Sequence, residues 1–97
     1  MAVKISTWDA SEYLETEEDI AAYLNAALED GDPSLLQAAL GDVAKARGMS
    51  VISREAGVGR ESLYKSLSES GNPSWQTMSK VITALGLKVE FKVAPAP

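Results

Sequence analysis

The 97 residues are 45% apolar and include no cysteine and no histidine, so they make one small domain without a disulfide framework, without the usual zinc ligands and without the commonest general base. The net charge of −5 is polarised: residues 1–42 hold one basic and ten acidic residues, net −9, whereas residues 43–97 hold eight basic and four acidic, net +4. A chain divided in this way suits two partners of opposite charge; the plainer reading of its acidic part is a solvated face. No apolar run approaches the roughly 18 residues of a membrane span, and MAVKISTW lacks the apolar stretch of a signal peptide, which leaves the cytoplasm as the expected compartment.

In chain order, Val3 and Ile5 alternate with Lys4 and Ser6, which fits a short strand without proving one. Asp9 or Ser11 is placed to cap a turn through Tyr13 and Leu14. Thr16 and Asp19 form a capping box, and Glu17, Glu18 and Asp19 favour the positive end of the helix that follows. Ile20, Tyr23, Leu24, Ala27 and Leu28 give it an apolar stripe, and Gly31 ends it. Asp32 caps the second helix, with Pro33 at its first position, where a missing amide costs nothing. Leu36, Ala39, Leu40, Val43 and Ala44 form its buried stripe. Lys45 and Arg47 suit its last turn, and Gly48 closes it.

Residues 49–68 predict two short helices about a tight turn. Ser50 is the expected cap of the first, over Val51 to Ala56. Gly57 stops it by entering the left-handed region, Val58 is a buried hinge, and a second helix runs from Arg60 to about Ser68. Ile52, Ala56, Val58, Leu63 and Leu67 close one face on the other, while Arg60, Glu61, Ser62, Tyr64 and Lys65 stay outside. This is the layout of a DNA-reading helix-turn-helix. Gly71-Asn72-Pro73 then makes a turn and Ser74 caps a fifth helix with the stripe Trp75, Met78, Val81, Ile82 and Leu85, ended by Gly86. Leu87, Val89, Phe91 and Val93 alternate with Lys88, Glu90 and Lys92, which predicts a half-buried strand ahead of a flexible tail over 94–97.

Four stretches carry a resemblance: GDVAKARGMS (41–50), REAGVGRESLYKSLS (54–68), GNPSWQT (71–77) and ITALGLKVEF (82–91), together with the acidic opening over 9–33. Residues 49–87 resemble a lambda-repressor-like (Xre-type) helix-turn-helix domain. The whole chain resembles the addiction-module antidote proteins, the antitoxins of toxin–antitoxin operons. It departs from the wider Xre pattern at Met49, where a phosphate-touching glutamine is common, and at Ser66, a site that is often apolar. The fold so implied is mainly α: five helices of the lambda-repressor-like type and a short C-terminal strand. Residues 1–32 are then an acidic segment packed on the domain and a candidate toxin-binding region, and 33–93 the DNA-binding domain.

Candidate residues follow. Arg60 is the base or phosphate reader and Lys65 a phosphate contact. Glu61, Ser62 and Tyr64 are further readers, Gly59 allows close backbone approach, and Arg54 is a weaker phosphate contact. The Tyr64 ring can instead pack on Arg60 or on a neighbouring helix. Trp75, on an apolar stripe, belongs to the core, whereas Trp8 fits either the domain or an interface. Asp9, Glu12, Glu15, Glu17 and Glu18 are candidates for toxin binding. Asp9 to Asp19 show no hard-cation loop pattern, so neither metal nor cofactor is expected. The resemblance implies a RelE/ParE-type toxin and the operator of the chain's own operon as partners, and no enzymatic activity. The alternative is a phage-type repressor without a toxin. Repressors of this motif usually act as two-fold dimers, and Leu87, Val89 and Phe91 are the candidate interface; internal pairing of the strand with Val3–Ser6 is the rival.

Overall fold

A computed structural model describes residues 14–68 and 70–96. Five helices follow one another: α1 (Glu17–Asp30), α2 (Pro33–Arg47), α3 (Met49–Ala56), α4 (Arg60–Ser66) and α5 (Trp75–Ala84). Their starts are set by local chemistry. The Thr16 hydroxyl accepts from the Asp19 N–H at 3.1 Å, and the Asp19 carboxylate accepts from the Thr16 N–H at 3.4 Å. Asp32 accepts from the Ser34 N–H at 3.0 Å and from its hydroxyl at 2.8 Å. Those two bonds hold the Asp32 carboxyl below its usual range. Ser74 accepts from the Thr77 N–H at 3.1 Å. Gly31 and Gly57 end α1 and α3 in the left-handed region, at φ 88° and 71°.

The helices close on one core. Ile20 and Leu24 from α1, Leu40, Val43 and Ala44 from α2, Ile52 from α3, Leu63 from α4 and Val81 and Ile82 from α5 belong to it, with Leu14, Leu67 and Leu85. α1 packs on α2; α3 packs on α2, α4 and α5; α2 also reaches α5. The acidic α1 therefore shares its apolar face with the rest of the chain. Two polar links reinforce this. The Tyr23 hydroxyl donates to Asp42 at 2.8 Å. Arg47 pairs with Glu17 at 3.3 Å and donates to the Glu15 carbonyl at 3.4 Å.

The structure corrects six expectations. No strand forms among the described residues: residues 87–96 are neither helix nor strand. A strand needs a neighbour to accept and donate its hydrogen bonds, and no described segment offers an edge; Val3–Ser6, the rival partner, lies outside the described residues. α3 starts two residues early, at the buried Met49, with Gly48 in the cap position and no bond from Ser50. Burial of Met49 outweighs the cap that Ser50 would have supplied. Trp75 is 58% exposed and Leu28 56% exposed. Each lies at the end of its helix, where the apolar stripe runs past the neighbouring elements. Finally, α4 stops at Ser66, and Val58 is half-buried.

Candidate nucleic-acid interface

The turn between α3 and α4 is three residues long, Gly57–Val58–Gly59. The Val58 N–H donates to the Ser53 carbonyl at 3.0 Å, which closes the end of α3, and the Val58 side chain packs on the core. α4 then lies with Leu63 wholly buried and Leu67 beneath it. Leu63 fixes the roll of the helix, because an apolar residue inside puts residues one and two positions away outside. Glu61, Ser62, Tyr64 and Lys65 are accordingly exposed; Arg60, at the first position of α4, is exposed as well, with Arg54 exposed on α3. Gly59 has φ −59° and room for a Cβ, whose only neighbour would be the Ser62 hydroxyl at 3.8 Å. Glycine there leaves open space and answers no backbone demand.

The outer face carries three exposed cations, Arg54, Arg60 and Lys65, beside the exposed carboxylates Glu55 and Glu61. Among the described residues the one ion pair is Arg47–Glu17, so no described carboxylate pairs with Arg54, Arg60 or Lys65. The Arg60 guanidinium lies 5.8 Å from the centre of the Tyr64 ring, a cation–π arrangement one helical turn long. Tyr64 thus steadies the arginine without neutralising it, and its hydroxyl stays in water.

A positioning device sits behind this face. Gln37 on α2 extends its amide into the turn after α4 and donates to the carbonyls of Ser66 (3.3 Å), Ser68 (2.6 Å) and Gly71 (2.9 Å). A Cβ on Gly71 would overlap the carbonyls of Lys65 and Ser66. Gly41, also on α2, lies against Leu67, where a Cβ would stand 3.1 Å from its carbonyl oxygen. The roles of Gln37 and Gly41 were not legible in the sequence. Gln37 breaks no pattern on α2, and its partners lie 29 to 34 residues away. Only Gly71 carried a signal, as part of a glycine-proline turn.

Residues 4–93 match the family described as probable addiction module antidote protein. The chain belongs to that family. A protein of Haemophilus influenzae Rd, itself uncharacterized, is 46% identical over 92 residues that cover 95% of both chains. No solved structure matches. Membership of the antidote family implies a regulatory role and a toxin as partner. No helix among the described residues is long and apolar enough to cross a membrane.

The residues expected to meet the toxin are only partly placed. Asp9 and Glu12 lie outside the described residues, as does Trp8. Glu15, Glu17 and Glu18 are exposed at the start of α1, and Glu17 is engaged by Arg47. α1 packs on α2 and α4 on α3, so the acidic and basic candidates belong to separate parts of the fold. Of the candidate dimer residues, Leu87 is half-buried against the core, while Val89 and Phe91 are exposed.

Proposed function

We propose that this antidote neutralises a co-encoded toxin of the RelE/ParE type and represses its own operon by reading operator DNA with α4. The observation that carries the DNA reading is the outer face of α3 and α4. Leu63 is buried, Arg60 and Lys65 project without an ion-pair partner among the described residues, and Tyr64 steadies Arg60. In this reading Arg60 pairs with a guanine edge or a phosphate, and Lys65 and Arg54 meet phosphates. Glu61, Ser62 and Tyr64 read or exclude neighbouring bases. Residues 33–93 act as the DNA-binding unit and 1–32 as the toxin-facing segment. Glu15 and Glu18, together with Asp9, Glu12 and Glu17, attract a basic toxin. Two copies bind a palindromic site, one recognition helix to each half.

The test is a gel-shift titration of the promoter region upstream of the gene. Wild-type protein is expected to bind it in preference to unrelated duplex of equal length. Equal affinity for both duplexes, or the same affinity from a variant carrying Arg60→Ala and Lys65→Ala, removes the assignment of α4 as reader. Co-purification with the product of the adjoining reading frame tests the toxin half independently.

A further inference from the structure

Among the described residues, 87–93 hold a set of apolar side chains that are largely exposed. The Leu87 N–H donates to the Ile82 carbonyl at 3.2 Å and its side chain packs on the core. Beyond it, Val89 is 46%, Phe91 93% and Val93 98% exposed. The charged residues Lys88, Glu90 and Lys92 alternate with them. Such a period-two segment has one face to bury and a row of amides and carbonyls to satisfy.

We propose that residues 86–92 pair antiparallel with the same residues of a second copy about a two-fold axis at Val89. This rests on the dimer reading given above and fixes its register. Directly opposed residues of an antiparallel pair lie on the same face. An axis between two residues would oppose an apolar side chain to a charged one at each step. An axis at Glu90 opposes glutamate to itself and Lys88 to Lys92, so like charges meet throughout. An axis at Lys88 opposes lysine to itself.

Two registers give attraction. An axis at Phe91 sets Glu90 against Lys92, but it places Leu87 against Pro95, which has no amide to donate, and stacks Phe91 on its own mate away from both cores. An axis at Val89 sets Lys88 against Glu90 twice and Val89 against Val89. It also sets Phe91 against Leu87, the residue of this segment already anchored on a core. The exposed Phe91 ring of one copy then covers the end of α5 in the other.

The chain has no cysteine, so a single introduced thiol reports the register unambiguously. At the Val89 axis, Val89 Cα atoms of the two copies stand about 4.5 to 5.5 Å apart, within disulfide reach. Phe91 is then displaced from its own mate by four residues, about 13 Å, and is out of reach. Full-length Val89→Cys should therefore cross-link under mild oxidation and Phe91→Cys should not. In sedimentation, Glu90→Lys should weaken the dimer about tenfold. Adding Lys88→Glu should restore it, and adding Lys92→Glu should not. Cross-linking of Phe91→Cys, or rescue by Lys92→Glu, overturns the Val89 register in favour of Phe91. A wild-type dimer that Val89→Cys fails to cross-link overturns this interface while leaving a dimer elsewhere. A wild-type monomer at micromolar concentration overturns the dimer reading itself.

Discussion

Arg60 and Lys65 differ in what surrounds them, and the difference predicts different losses. Arg60 lies over the Tyr64 ring, and its planar fork of donors suits a bidentate contact. Arg60→Ala should therefore cost roughly 1–3 kcal/mol of operator binding and relax preference at one base position. Lys65, a mobile point charge, should contribute evenly to all sequences. Lys65→Ala should lower the slope of log affinity against log salt by about one, measured by fluorescence anisotropy over a salt series. Tyr23 offers a pH signature. Burial first, and then the hydrogen bond to and charge of Asp42, hold its phenol above the usual tyrosine range. A raised folded-state value contributes stability that is complete below the unfolded value near 10 and is lost as pH rises above it. Tyr23→Phe should cost about 1 kcal/mol at pH 7 in urea denaturation. Its stability should also fall less steeply than wild type above about pH 10; parallel profiles would detach Tyr23 from the effect.

At the scale of elements, α4 is the weakest and the most consequential. Seven residues cannot sustain a helix alone, so its place is set by what packs behind it. Leu63 and Leu67 bury its inner face, and Gln37 holds the carbonyls that follow it. Gln37→Met keeps the side chain's length and removes its donors. These carbonyls lie partly in water, so the stability loss should stay near 1 kcal/mol, while operator affinity falls further because α4 loses its fixed end. Gly71→Ala forces the backbone apart at Lys65 and Ser66 and should cost about 1–3 kcal/mol. A Gly71→Ala melting curve like that of wild type would show that the turn can open without disturbing α4. α1 is tied differently: its Arg47–Glu17 pair is exposed and worth at most about 1 kcal/mol, so Ile20 and Leu24 hold the helix in place.

For the whole molecule the governing feature is charge polarity, net −9 over residues 1–42 against net +4 over 43–97. An acidic face directed at a basic toxin acts mainly on encounter rate. Neutralising Asp9, Glu12, Glu15 and Glu18 to Asn or Gln should slow toxin association by about tenfold at low ionic strength and flatten its salt dependence. Dissociation should change much less. Stopped-flow rates that match wild type would mark the acidic residues as a solvated face. Glu17 is best tested separately, because its loss also releases Arg47.

Local chemistry was legible in the sequence. The Thr16 box, the Asp32-Pro33 and Ser74 starts, and the glycine stops at 31 and 57 each involve groups within a few residues of one another, so residue type and spacing suffice to place them. The inward residues of α2 and α4 were legible as well, because a helical period fixes which side chains share a face. What covers that face is a matter of neighbours. Trp75 and Leu28 continue the stripes of their helices and are exposed, since no period records where the adjacent element ends. Residues 87–93 alternate as a strand does and form none among the described residues, since pairing requires an edge that the alternation cannot supply. The Gln37 bonds join positions 29 to 34 residues apart, and the angle at which α2 meets the turn after α4 brings them together. Sequence therefore decided the helices and their inner faces, because those forces act within a turn or two. Tertiary structure decided how α4 is held and which apolar residues remain uncovered, because those depend on surfaces that meet only after folding.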